Sequence, residues 1–346
     1  RAPAMKVVAD PQKLSDLLKP HDRSDSPGFA IGVAVEGRPV FRRGYGLASL
    51  DLPVLLTPTT RIRIGSTSKH FTALAVFLLG EKGKLSVDDS IRKHMPSLPD
   101  WAEPITLHQL MTHTSGMRCS LDLLSLTSDV MSKSDALPHA AQIALLEQLQ
   151  STNFAPGTDW SYCNGGYALL TRVIESLSGM SYGDFLREHI FAPAGMYDTM
   201  ARPLDTDFVS GSATLHVRQP DGSYRRGLFG PEIGGEGNLI STVDDMLRWL
   251  IALRGRRLGS ETTWDGMLRS GTVQGGDCGY AAGLVTNEWR GIETIFHTGG
   301  VVGGSSQMIT VPSLELDVIV LANSSAVSAA ALANQVLEAC IEGLQE

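Results

Sequence analysis

Strand-forming segments lie near both ends of this chain, and that placement constrains its fold more than any other feature. Phe29 to Glu36 and Pro39 to Gly44 read as two strands joined by a tight turn near Glu36-Gly37. Far downstream, Ser306 to Val311 and Leu316 to Leu321 are again strand-like, separated by Pro312-Ser313. Residues 10 to 19 can form a short amphipathic helix, and Ala326 to Leu344 has long, alanine-rich helical character. The middle is mostly helical. Phe71, Leu74, Ala75, Leu78 and Leu79 form one stripe of a helix ending near Gly80 to Gly83. Tyr167, Leu170, Ile174 and Leu177 repeat the pattern before Gly179, and Asp244 to Ile251 do so after a cap at Ser241 or Thr242. The two termini are therefore expected to build one antiparallel sheet with a helical region beside it, an α+β architecture. The glycine-rich stretch from Gly211 to Gly237 reads as a loop walling a cleft.

Composition narrows the function classes. The 346 residues are 42% hydrophobic and 19% charged, as in an ordinary globular protein. A formal net charge of −8, with no Lys/Arg block, argues against nucleic acid or an anionic membrane as partner. No apolar run approaches the ~20 residues of a membrane span. The compartment is not legible, and bacterial cytoplasm and periplasm both stay open, as does the oligomeric state. Cys119, Cys163, Cys278 and Cys340 are widely spaced without a CxxC pair and are expected to be free thiols. His108 and His113 lack an HExxH or Cys/His companion set, so no metal site is expected.

Three short segments carry chemistry. In Gly65-Ser66-Thr67-Ser68-Lys69, just before the apolar stripe, Ser66 and Lys69 share a face of the first helical turn. Such a pair offers a nucleophile with an adjacent base; taken alone it is equally a helix cap with an exposed lysine. In Ser161-Tyr162-Cys163-Asn164, Tyr162 and Asn164 point one way and Cys163 the other. A tyrosine can relay a proton, and an asparagine offers a donor and an acceptor to an amide; alone, the segment is a buried tyrosine at a helix entry. Cys163 as nucleophile lacks a neighbouring histidine in sequence. Phe296-His297-Thr298-Gly299-Gly300 reads as the end of an edge strand presenting backbone N–H groups to a ligand.

In this order and combination the three segments resemble the class C β-lactamase superfamily, which includes penicillin-binding proteins, family VIII esterases, D-stereospecific aminopeptidases and D-amino acid amidases. Gly44-Tyr45-Gly46, Leu110 to Gly116, Pro156-Gly157, Ile190 to Met196 and Ser241 to Met246 resemble the same family, so the likeness covers nearly the whole chain. The resemblance implies a β-lactamase-like catalytic unit over residues 1–346, with a sheet region over about 1–65 and 270–346 and a helical region over about 66–269. It implies an acyl-serine mechanism with Ser66, Lys69 and Tyr162 as catalytic residues. The backbone N–H groups of Ser66 and Gly300 would form the oxyanion hole, and Asn164, His297 and Gly299 would bind substrate. Lys69 and Tyr162 are treated as one coupled base with the proton unassigned. No cofactor is implied.

Many β-lactamases and penicillin-binding proteins carry lysine where this chain has His297, and a mostly neutral histidine holds a carboxylate less well. Small esters, D-amino acid amides or short D-peptides are the expected small-molecule substrates. A β-lactamase or DD-peptidase, and a sensing protein that acylates without efficient turnover, are the alternatives. No counterpart of the extra β-barrel domains of two-domain aminopeptidases is expected after the last helix, so a substrate amine would be met by local groups, with Asp122, Glu232 and Glu236 as candidates.

Overall fold

The computed structural model of the protein describes residues 4–126 and 137–345. Six strands form its main sheet: β1 (Phe29–Val35), β2 (Arg38–Tyr45), β3 (Val285–Trp289), β4 (Ile292–Val301), β5 (Gly304–Val311) and β6 (Leu316–Ala322). Their order is β3-β4-β5-β6-β1-β2, with every neighbour antiparallel. The two ends of the chain thus meet at the β6–β1 ladder, where Ile319 faces Gly32. The expected α+β architecture, with its sheet drawn from both chain ends, is what the molecule has. Glu36 (φ 50°) and Gly37 (φ 74°) make the β1–β2 turn in the left-handed region that a right-twisted hairpin favours.

Side-chain size along β1 decides which helix lies on which face. Phe29, Ile31 and Val33 are fully buried against α1 (Pro11–Leu18) and α6 (Ala329–Cys340). The alternate residues Ala30, Gly32 and Ala34 are small, and there α5 (Val243–Arg254) comes close. A Cβ on Gly32 would lie 2.6 Å from Val243 Cγ1 and 2.7 Å from Leu247 Cδ1. Helix α2 (Lys69–Glu81) runs through the second core against α4 (Asn164–Ser178) and is buried from Lys69 to Phe77. Burial extends beyond the apolar stripe to Lys69, His70 and Thr72.

Capping residues bound these helices where expected: Thr242 accepts from the Asp245 N–H at the start of α5, and Gly179 (φ 70°) closes α4. Helix α6 is shorter than the alanine-rich run predicts. It stops at Cys340, because Ile341–Glu342 leave the helix to pair with Lys6–Val7. Strand β3 has no counterpart in the sequence reading, since Thr286, Asn287 and Glu288 give it no apolar alternation. Among the described residues, no helix is long and apolar enough to cross a membrane.

The sheet-to-α5 packing includes one buried ion pair. Asp317 on β6 is fully buried, accepts from Thr310 Oγ1 at 2.6 Å and meets Arg254 Nη2 at 3.1 Å. Removing one partner of such a pair leaves an uncompensated buried charge. Arg254→Ala is expected to lower the unfolding free energy in urea by about 3 kcal/mol. A loss below about 1 kcal/mol would show that the pair does not hold α5 to the sheet.

Candidate active site

Ser66 sits in a single 3-10 turn, Gly65–Ser68, that feeds directly into α2. The turn begins with Gly65 at φ 55°, and a Cβ there would also lie 2.9 Å from the Gly300 carbonyl oxygen. One turn later Lys69 projects back toward the serine and is completely buried. Its Nζ lies 3.0 Å from Ser66 Oγ, 2.8 Å from Asn164 Oδ1 and 2.6 Å from the Glu236 carbonyl oxygen. It also stands 4.8 Å from the centre of the Tyr162 ring. Burial lowers the lysine to about 7, outweighing the opposing pull of the Glu236 carboxylate.

Tyr162 completes the group. Its phenol contacts the Ser66 side chain, an interaction that favours phenolate, but burial outweighs it and raises the tyrosine well above its ordinary value. Burial thus drives the two groups apart in the useful sense. It makes the amine easier to deprotonate and the phenol harder.

The segment after Phe296 contributes differently from its prediction. Strand β3 pairs with β4 only from Ile292 to Phe296, so residues 297–301 of β4 have one edge unpaired by β3. That edge passes Ser66. A Cβ on Gly299 would lie 2.1 Å from the Ile64 carbonyl oxygen and 2.3 Å from Ser306 Oγ, so Gly299 serves close backbone approach. Gly300 lines the same cavity as Ser66. His297 is not placed as a substrate ligand. It is buried, its Nδ1 donates to the Thr298 carbonyl (2.7 Å) and its Nε2 accepts from the Tyr280 hydroxyl (2.7 Å). Burial, reinforced by the Lys69 charge, lowers it to about 3, so it offers no cation to a carboxylate.

The cavity over Ser66 has a volume of about 430 Å³ and is lined by Asn164, Asp122, Phe229 and Glu236 among others. Ile233 and Gly237 line it too, so the end of the glycine-rich stretch walls the cleft, whereas His216–Arg218 and Tyr224–Arg226 within that stretch pair as a hairpin rather than a loop. Of the three carboxylates expected to meet an amine, Asp122 is exposed on helix α3 (Ser120–Ser125) and faces this space. The Glu236 carboxylate is buried against Gln142 and His139. Glu232 accepts from the His139 N–H and lines a separate cavity of about 560 Å³. That larger cavity holds no serine–lysine pair. Cys163 is buried, with its thiol hydrogen-bonded to Cys119 and its pKa raised. All four cysteines are free thiols.

Sequence reasoning missed the Glu236 carbonyl, the Tyr280 hydroxyl and His113, whose ring lies 4.2 Å from that of Tyr162. A main-chain carbonyl leaves no signature in residue type. His113 was noticed only as a rejected metal ligand and as a member of the Leu110 to Gly116 segment.

A family model described as Beta-lactamase matches residues 14–341. A D-aminopeptidase from Brucella anthropi is 34% identical over 233 residues, covering 64% of this chain and 42% of that protein. The chain thus spans less than half the length of that relative. Among solved structures, the octameric penicillin-binding protein homologue from Pyrococcus abyssi is similar with a TM-score of 0.82 and 27% identity, over 94% of this chain and 76% of that one. The D-amino acid amidase from Ochrobactrum anthropi SV3 shares the fold, with a TM-score of 0.77 and 22% identity over 95% and 97% of the two chains.

Proposed function

We propose that this chain, which belongs to the beta-lactamase family, is a serine hydrolase that cleaves small esters and amides through an acyl-serine intermediate. The observation that carries the reading is the set of partners around Lys69. A neutral amine has two N–H groups and one lone pair. The Glu236 carbonyl and the Asn164 Oδ1 can only accept, so they take the two N–H groups. The lone pair is left facing the Ser66 hydroxyl at 3.0 Å. An ordinary lysine would cost roughly 4–5 kcal/mol to deprotonate at pH 7, and lowering it to about 7 removes most of that cost.

In the proposed reaction Ser66 Oγ attacks the substrate carbonyl carbon while Lys69 takes its proton. The backbone N–H groups of Ser66 and Gly300 receive the developing oxyanion. Such donors typically contribute about 3 kcal/mol to the rate. Tyr162, kept as a neutral phenol, passes a proton to the departing alcohol or amine and is recharged from the Lys69 side. Water then attacks the acyl-serine by the same route in reverse. Asn164 is proposed to hold the acyl side of the substrate as well as the lysine.

Substrate choice follows the charges in the cavity. With His297 neutral and engaged, the position offers nothing to a substrate carboxylate. Asp122 on the cavity wall instead suits a substrate that carries a free amine, such as a D-amino acid amide or a short D-peptide. Similarity to a D-aminopeptidase supports this choice.

The test is a panel of p-nitrophenyl acetate, D- and L-alanine p-nitroanilides and nitrocefin, with Ser66→Ala as control. Turnover of the ester and of the D-anilide over the L-anilide is expected, all abolished in Ser66→Ala. An active Ser66→Ala protein contradicts the nucleophile, and turnover of nitrocefin alone moves the reading to a β-lactamase. The acid limb of kcat/KM tests the base. Lys69 works when neutral, that is, above its pKa, so kcat/KM for the ester should rise with pH and reach half its plateau near about 7. A limb centred near 10 would mean that the buried lysine keeps its ordinary basicity.

A further inference from the structure

We infer that His113 is the positioning residue of Tyr162, gripping the backbone on both sides of it and supporting its ring. The inference rests on the proposed catalytic role of Tyr162. Residues 159–163 belong to no helix or strand, so no ladder fixes the tyrosine where it must stand. Its neighbours are fixed from outside by one residue. The Ser161 N–H donates to the His113 carbonyl oxygen at 3.0 Å. The Cys163 N–H donates to His113 Nδ1, also at 3.0 Å. Between these two bonds the imidazole lies beneath the phenol, with ring centres 4.2 Å apart and planes inclined at 38°.

The rest of the segment fastens the same loop. The Gly157 N–H donates to the Thr114 carbonyl at 2.8 Å and the Asn153 N–H to the Gly116 carbonyl at 2.8 Å. A Cβ on Gly116, itself at φ 75°, would lie 2.0 Å from the Phe154 carbonyl oxygen. His113 is the member of this strip that reaches the tyrosine.

His113 is held in a costly state to do so. It is fully buried at φ 61°, a left-handed conformation that typically costs a non-glycine residue about 1–3 kcal/mol. Because Nδ1 accepts an N–H, the ring proton is on Nε2, which has no hydrogen-bond partner among the described residues and stands near the Tyr280 ring, 4.6 Å between centres. Burial keeps the ring neutral. A neutral imidazole supplies at Nδ1 the acceptor that the Cys163 N–H needs. A phenol displaced by about 1 Å can lose on the order of a hundredfold in rate, so holding this loop has a kinetic consequence.

Two substitutions separate the parts of this role. His113→Phe keeps an aromatic ring but loses the acceptor and disfavours the positive φ. His113→Asn keeps an acceptor close to the Nδ1 position and tolerates the left-handed conformation, but loses the ring. Each is made in the wild-type and in the Tyr162→Phe background, folding is verified by thermal unfolding, and kcat and KM are measured with p-nitrophenyl acetate. His113→Phe is expected to lower kcat about 30-fold with KM within about threefold, and His113→Asn to be at least about fivefold more active than His113→Phe. In the Tyr162→Phe background both substitutions should change kcat less than about twofold, because the residue they position is already disabled. Equal losses in the two backgrounds, or a folded His113→Phe protein within about twofold of wild type, overturn the inference. Should His113→Phe not fold, the two-background comparison with His113→Asn decides by the same criterion. A Tyr162→Phe protein as active as wild type contradicts instead the proposed role of Tyr162 itself.

Discussion

The burial of Lys69 is the constraint on which the rest of the site depends. A lysine with no exposed surface has lost its hydration, and an ammonium there is stable only if oxygens replace the water. Three do so, each from a different part of the chain: Ser66 beside it, Asn164 at the head of α4 and the carbonyl of Glu236 on the cleft loop. The compensation is incomplete, and the lysine is lowered to about 7. In the proposed mechanism that shortfall lets the group act as a base at neutral pH. A more exposed lysine would hold its proton, and one with fewer oxygens would leave the core destabilised.

Bringing those parts together requires backbone to approach backbone. Gly65 and Gly299 stand where β4 passes the nucleophile turn, and a side chain on either would collide with the Gly300 or Ile64 carbonyl. The short β3 leaves residues 297–301 of β4 with an edge free of strand pairing, available to a substrate or an oxyanion. The helix carrying Lys69 passes through the core with most of its residues buried, so Lys69 is mounted on a well-anchored element. The phenol is mounted on irregular backbone and depends on the His113 contacts for its place.

Much of this was legible in the sequence because it rests on local chemistry. The strand pairs near both ends, the helix stops and the serine–lysine spacing are properties of short segments. What escaped is set by tertiary packing. His297 has the residue type of a ligand, yet Tyr280, seventeen residues earlier in the chain, takes one of its nitrogens and the Thr298 carbonyl takes the other. The Glu236 contribution comes through its main chain, while its carboxylate, the group that drew notice, is turned toward His139 and Gln142. Strand β3 carries polar residues along the edge of the sheet and gives no apolar signal. The alanine-rich run overstates α6 because helix propensity at Ile341 yields to pairing with the N-terminal segment.

If burial sets the chemistry of this site, Lys69 is largely neutral at physiological pH. Isotope-labelled lysine, with the Lys69 resonance assigned by a Lys69→Arg protein and its side-chain 13Cε shift followed by NMR across pH 5 to 11, measures this directly. The expected midpoint for Lys69 is near about 7, well separated from the exposed lysines near about 10.4. A Lys69 midpoint above about 10 would contradict it, since the amine would then be a cation during catalysis and another group would have to take the serine proton.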